Sequence, residues 1–228
     1  MPFYLSNNSI LIYRLLGELL GSFAIAFFGC YGASVASNPD LGFGPYFGGF
    51  LSGATLSLCI YALNNLSGAH VNPAITIAFW LLGRISRNLV PLYILAQVTG
   101  SIIAGFAVNA VIGVEARLGL NAPSHDVSYF EALMVEIYVS ATMMLVILLS
   151  YNERFEFLKP VFIGSIVMFN IWLFGSEFGA SMNPIRALGP SLFFPEYWKV
   201  TWIYQFGPVL GCSLIAFLHR SSSNEQSV

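Results

Sequence analysis

The stretch "GASMNPIRAL", residues 179–188, places an Asn-Pro pair and an arginine inside a chain that is mostly apolar. A related stretch, "GAHVNPAITI", occupies residues 68–77. Asn is favoured immediately before a helix, and Pro fits the first helical turn because its missing N–H would have no partner there. The two stretches therefore predict helix starts at Asn72 and Asn183.

The composition is that of a membrane protein. Of 228 residues, 57% are hydrophobic and 9% are charged, with a net charge of −2, whereas soluble domains carry about 25% charged residues. The chain lacks a basic stripe, so nothing in the sequence indicates nucleic-acid binding. It also lacks a nucleophile–base pair and a metal-ligand cluster, so we expect neither an enzyme nor a cofactor. Cys30, Cys59 and Cys212 lie in apolar runs and are interpreted as small buried hydrophobes.

Long apolar runs predict six transmembrane spans. They lie near residues 10–35, 46–66, 88–113, 129–150, 158–175 and 199–219. An even number puts both termini on one side, and we interpret the first run as a retained span rather than a signal peptide. The basic residues on that side are Arg14, Arg84, Arg87, Arg154, Lys159 and Arg220, with Arg117 and Lys199 as the exceptions. The positive-inside rule therefore predicts cytoplasmic termini, in a plasma or cell inner membrane.

Two apolar stretches, 73–82 and 184–194, are too short to span. Each would be about 15 Å long as a helix, half of the ~30 Å hydrocarbon core. Each follows the second of three spans, so the second half of the chain enters the membrane upside down. The sequence predicts one all-α transmembrane domain over residues 1–228, built as an inverted repeat of 10–115 and 128–220, with a disordered tail at 221–228. Such folds place their site at the midplane, where the halves meet.

The two helix starts have an electrostatic consequence. If each Asn oxygen caps its own helix, the amide nitrogens of Asn72 and Asn183 point outward as donors, and two positive helix ends meet at the midplane. Arg186 lies on the same face of its short helix and adds a fixed cation. A cation passing there is repelled, while a neutral hydrogen-bond acceptor is not.

These segments resemble the aquaporin (major intrinsic protein) family over nearly the whole chain. "SGAHVNPAITIAFW" and "GASMNPIRALGPSL" are similar to its two signatures, and "GELLGSF", "AQVTGS" and "FGPVLG" agree with its spans. The resemblance implies six spans plus two re-entrant half-helices, and a homotetramer embedded in lipid with one pore per subunit. It also implies passive flow of water and small neutral solutes. In aquaporins, half-helix dipoles and an arginine form the barrier to protons. The residues that match the two Asn-Pro motifs are Asn72, Pro73, Ala74, Asn183, Pro184 and Ile185.

Three departures from the family pattern bear on the solute. Ile185 replaces the usual Ala, and we expect it to narrow the central pore or to pack against the first half-helix. Ala187 stands where glycerol facilitators usually carry Asp, which favours a water channel. Tyr204-Gln205 stands where water channels commonly have two aromatics, which weakens that assignment. A glycerol-permeable channel remains the alternative.

The resemblance also implies an outer selectivity ring, aligned by distance from the two asparagines. Its members here are Ser52, Ile171, Ala180 and Arg186, and we expect the three cysteines to lie away from it. Strict water channels usually carry Phe and His at the first two positions, so we expect a wider and less polar ring. Ile at the second position is similar to vacuolar-type plant aquaporins, which often pass ammonia or hydrogen peroxide. Alternatively, Ser52 and Ile171 pack against lipid or a neighbouring helix.

Three buried polar residues each have two interpretations. Glu18 and Glu136 lie inside spans, one in each half. They could couple a proton gradient to transport, as in secondary transporters; the family resemblance instead implies that they accept hydrogen bonds from the re-entrant loops, which we favour. His70 lines the cytoplasmic half of the pore, or is a hydrogen-bonded packing residue.

Overall fold

The computed structural model describes residues 7–38, 40, 43–113, 117–151 and 153–225. In this part of the chain there are eight α-helices and no strand. They are α1 (Asn7–Ala36), α2 (Phe47–Ser67), α3 (Pro73–Leu81), α4 (Val90–Ile112), α5 (Tyr129–Leu149), α6 (Lys159–Phe178), α7 (Pro184–Ser191) and α8 (Trp198–Glu225). Short 3₁₀ turns lie at Arg117–Gly119, Glu153–Leu158 and Pro195–Tyr197.

Six of these helices, all except α3 and α7, are long and apolar enough to cross a membrane. The six predicted spans are therefore confirmed. Their outward faces carry large exposed apolar side chains, such as Leu95, Phe106 and Leu173, which are 64%, 59% and 70% exposed. Such a surface is a liability in water and is suited to lipid, so the chain is an integral membrane protein.

The helices α3 and α7 are the two half-length helices. They contain nine and eight residues, or about 13 and 12 Å at 1.5 Å per residue. The second ends three residues before the predicted boundary, at Ser191 rather than 194. Phe194 precedes Pro195 and has an extended φ of −134°, because a residue before proline is disfavoured in the helical region.

Close contacts between helices repeat in the two halves. A Cβ built on Gly100 of α4 would lie 2.9 Å from the backbone nitrogen of Phe23 in α1. A Cβ on Gly211 of α8 would lie 3.0 Å from the backbone nitrogen of Ala141 in α5. Only glycine lets each pair of backbones approach this closely, so the first and third spans of each half are packed in the same way.

The C-terminal tail differs from the prediction of disorder from residue 221. Helix α8 continues to Glu225; the hydroxyls of Ser221 and Ser222 donate to the carbonyls of Phe217 and His219, at 3.1 and 2.9 Å. These bonds back to the preceding turn are compatible with a continuing helix. Residues 226–228 lie outside the described residues, as do the side chains of Arg117 and Arg154.

Candidate pore

A cavity of about 480 Å³ runs along the inner faces of the helices. Its wall includes Tyr46 and Trp172 at one end and Asn64 and Lys159 at the other. Both re-entrant segments, the loops that lead into α3 and α7, contribute to its middle. The cavity therefore passes the point where the two half-helices begin.

The two asparagines at this point cap their helices and also hold each other's loops. The Oδ1 of Asn72 accepts from the N–H of Ala74 at 2.9 Å, and that of Asn183 from Ile185 at 3.2 Å. Each amide nitrogen donates to the opposite re-entrant loop: Asn72 to the carbonyl of Met182 at 2.8 Å, and Asn183 to the carbonyl of Val71 at 2.9 Å. An amide NH₂ has two hydrogens. One ties the loops together, which the sequence did not predict, and one remains for the cavity.

The loops before the asparagines have unusual backbone conformations. Ala69 and Val71 have φ angles of 48° and 42°, and Ala180 and Met182 have 40° and 54°. Positive φ is rare for residues other than glycine and costs about 1–3 kcal/mol at each position. Such a conformation persists only where surrounding contacts fix it.

Glu18 supplies those contacts in the first half. Its Oε1 accepts from the N–H of His70 at 3.0 Å and from the hydroxyl of Ser67 at 2.7 Å. Its Oε2 accepts from the N–H of Val71 and the Nε2 of Gln97, both at 2.7 Å. The carboxylate is fully buried, and its oxygens hold the re-entrant loop from the side away from the cavity.

Glu136 has the same place in the second half. It accepts from the N–H of Ser181 at 2.9 Å and from the N–H of Met182. Neither Glu18 nor Glu136 lies in the cavity wall. These hydrogen bonds are of the kind that the family resemblance implies for the two acids, and they give no support to a proton-coupling role for this pair.

Two tyrosines reinforce the loops, and the sequence analysis missed their role. The hydroxyl of Tyr93 donates to the carbonyl of Ser67 at 2.8 Å, and that of Tyr204 donates to the carbonyl of Phe178 at 2.7 Å. The two tyrosines are separated by the same number of residues as the two asparagines. Searching the chain for identical residues at that fixed separation would have found them.

Arg186 lies in the wall, with its guanidinium held by three acceptors. Its Nη1 donates to the carbonyl of Gly119 and to the Oδ1 of Asn121, both at 2.5 Å, and its Nη2 donates to the carbonyl of Gly29 at 3.1 Å. The Nδ2 of Asn121 donates to the carbonyl of Gly179 at 2.6 Å. Asn121 thus links the loop before α5 to both the arginine and the second re-entrant segment. No sequence signal singled it out, because it lies in an irregular connection.

The four positions of the expected selectivity ring, Ser52, Ile171, Ala180 and Arg186, all contribute to the cavity wall. The hydroxyl of Ser52 donates to the carbonyl of Gly48 within its own helix, at 2.8 Å. A Cβ on Gly29 would lie 3.3 Å from the Nε of Arg186 and 3.6 Å from the Oγ of Ser52. Small residues therefore surround the arginine at this level.

Cys30 lies closer to this ring than predicted. Its Sγ is 3.8 Å from the carbonyl oxygen of Arg186, although its side chain is buried and does not line the cavity. The expectation that all three cysteines lie away from the ring is wrong for Cys30, because α1 packs directly behind α7 at this height.

Ile185 does not narrow the pore. It is 1% exposed and packs in a cluster with Ala26 of α1 and Ala104 of α4. It precedes Arg186 by one residue, about 100° around the helix, so it faces these helices when the arginine faces the cavity. Both expectations for this residue, narrowing and packing on the first half-helix, are wrong.

His70 both lines the cavity and packs. It belongs to the cavity wall, and its Nδ1 lies 3.1 Å from the Oγ1 of Thr76. The rings of Phe79 and Tyr93 lie edge-on to it, at centroid distances of 4.9 and 5.2 Å. The two interpretations of this residue are compatible.

Comparison with known proteins gives one family. The chain matches the family described as major intrinsic protein over residues 6–219. It is 31% identical to aquaporin NIP1-2 of Arabidopsis thaliana, covering 95% of this chain and 76% of the relative. It is 32% identical to aquaporin AqpM of Methanothermobacter thermautotrophicus, covering 93% of this chain and 98% of the relative.

The fold also matches a solved structure, that of the aquaglyceroporin from Plasmodium falciparum. The TM-score is 0.80, with 92% of this chain and 95% of the other covered, at 23% identity. This likeness concerns the fold alone. Six spans, two opposed half-helices, the paired asparagines and the family match agree: the chain belongs to the major intrinsic protein family of membrane channels, which includes the aquaporins.

Proposed function

We propose that the protein is a passive channel for water and for small neutral solutes such as ammonia or hydrogen peroxide, and that it excludes protons and ions. One observation carries the proposal: the two asparagine-capped helix starts and Arg186 line a single cavity. Water could exchange hydrogen bonds with the free amide hydrogens as it passes, so its dehydration cost is partly offset.

The exclusion of cations follows from fixed positive charge. Each helix start carries about half an elementary charge, and α3 and α7 both begin at the cavity. A unit charge held about 5 Å from a passing cation raises its energy by about 3 kcal/mol at an effective dielectric constant near 20. Arg186 is such a charge, and a neutral solute meets no equivalent barrier.

The solute range follows from the residues around Arg186. Ser52, Ala180 and Gly29 are small, and Ile171 adds an aliphatic wall. A ring of this kind leaves more space than one with Phe and His in the first two positions, and it offers fewer hydrogen-bonding groups. Ammonia and hydrogen peroxide are close to water in size and are therefore the expected additional solutes.

A glycerol-permeable channel is the second candidate, and the position of Ile185 favours it. Because Ile185 packs against α1 and α4, the expected steric obstacle to a carbon chain at the midplane does not arise. Ala187 in place of Asp remains the argument against glycerol.

The proposed setting is a homotetramer in a plasma or cell inner membrane, with both termini cytoplasmic. The excess of basic residues on one side supports this orientation. Family resemblance supports the tetramer, and the exposed apolar faces of the long helices would contact lipid or neighbouring subunits.

Stopped-flow measurements on vesicles with the purified protein test the proposal. We expect water permeability well above that of protein-free vesicles, uptake of ammonia or peroxide, and no proton conductance above background. Sustained proton conductance, or water permeability equal to that of empty vesicles, would contradict it. Glycerol uptake in the same vesicles decides between the two candidates.

A further inference from the structure

The mouth of the cavity opposite the selectivity ring contains a second fixed cation. Lys159, the first residue of α6, is buried and lies in the cavity wall with Asn64 and Tyr151. Ile171, a ring residue, lies on the same helix twelve residues further on. At 1.5 Å per residue the two are about 18 Å apart, so Lys159 acts on a different part of the path from Arg186.

The ammonium group of Lys159 is held in position from two sides. Its Nζ donates to the Oδ1 of Asn64 at 2.9 Å and lies 4.6 Å from the ring centroid of Tyr151. The guanidinium carbon of Arg84 lies 4.8 Å from the same centroid. Aromatic rings stabilise nearby cations through their quadrupole, so Tyr151 holds two positive charges at this mouth without contributing a negative one.

No described carboxylate neutralises this pair of cations directly. The single ion pair among the described side chains joins His125 and Asp126, in the loop before α5. Glu156, three residues before Lys159, attracts the ammonium group through space, but it is exposed and forms no ion pair with Lys159, so water weakens this attraction. An ammonium has three donors, and Asn64 is the one hydrogen-bond partner of Lys159 among the described residues.

We propose that Lys159, positioned by Asn64 and Tyr151, is a second specificity-determining residue of the channel, which repels cations at the mouth opposite Arg186. The proposal rests on the passive-channel function above and extends it. A cation would meet two separated positive barriers in series, and a neutral solute would meet neither. Arg84 adds to the positive potential from behind Tyr151.

The test is made in an Arg186→Val background, because the cation barrier at Arg186 would otherwise mask a second barrier at Lys159. Lys159→Gln and Lys159→Met both remove the charge, but only Gln keeps a donor for Asn64. Lys199→Gln is the matched control, since Lys199 is an exposed lysine outside the cavity wall. Potassium conductance is measured in vesicles containing equal amounts of each protein, and water permeability shows that each is folded.

We expect both Lys159 variants to raise potassium conductance about tenfold above Arg186→Val alone, the order given by one unit charge near the path at an effective dielectric constant between those of protein and water. The control should equal Arg186→Val. No rise with Lys159→Gln, a rise with Met only, or an equal rise with Lys199→Gln would overturn the proposal. If wild-type vesicles conduct no water, the passive-channel function fails; if they conduct water and Lys159→Gln adds no potassium conductance, only this inference fails.

Discussion

Replacing Glu136 by Gln tests whether the buried acid holds the second re-entrant loop. Both carboxylate oxygens accept backbone N–H groups, from Ser181 and Met182. A glutamine side chain offers one oxygen and one NH₂ group. In the variant, one backbone N–H must therefore face another donor in a site that is fully buried.

The expected loss of stability can be worked out from these contacts. A buried donor without an acceptor costs about 1–3 kcal/mol, and the remaining bond loses its charge assistance, which is about half of its strength. Relief from burying a charge offsets part of this. We expect a net loss of about 2–3 kcal/mol, or about 5–10 °C in apparent melting temperature for a chain of this size.

The assay is thermal unfolding in detergent, followed by tryptophan fluorescence, with two matched variants. Glu18→Gln should lower the melting temperature by a similar amount, because one of the backbone N–H groups of His70 and Val71 must likewise face a donor, while the amide of Gln97 can turn so that its Oε1 accepts from the new NH₂ group. Glu177→Gln, on an exposed glutamate, should have no effect. A Glu136→Gln protein as stable as wild type would refute the argument that these two bonds hold the strained loop.

Three further predictions concern the pore. Ser52→Phe with Ile171→His should lower ammonia or peroxide flux relative to water in stopped-flow assays, because both changes add bulk to the cavity wall; an unchanged ratio contradicts the wide-ring hypothesis. Mercuric chloride should inhibit wild type weakly, because its three cysteines are buried, and should inhibit Ala180→Cys strongly; equal inhibition of both would place Ala180 outside the pore wall. Ile185→Ala should reduce stability by about 2–5 kcal/mol through the cavity it leaves, while the ratio of glycerol to water flux stays the same; a changed ratio would mean that Ile185 faces the path.

Local patterns accounted for the spans and the half-helices. Apolar length predicted the six long helices, and the Asn-Pro pairs predicted where α3 and α7 begin, because both signals depend on a residue and its near neighbours. The end of α7 and the helical continuation of α8 to Glu225 were missed, because apolarity alone does not say where a backbone leaves the helical conformation.

The sequence predicted less well which neighbours a side chain faces. Ile185 was expected near the pore, and it packs on α1 and α4 instead. Cys30 was expected away from the ring, and it touches the backbone of Arg186. Both depend on how α1 and α7 are oriented against each other, which no window of sequence contains.

The sequence by itself determined that this chain spans the membrane six times, that two half-helices start at Asn72 and Asn183, and that Arg186 stands beside the second start. Those properties follow from hydrophobic length, helix capping and the cost of an isolated charge in lipid. Only the tertiary structure decided that Asn121 holds Arg186 and that each asparagine donates to the opposite loop. These contacts join residues far apart in the chain, and they exist because packing the inverted halves brings their irregular loops together, where buried backbone and charged groups must find partners.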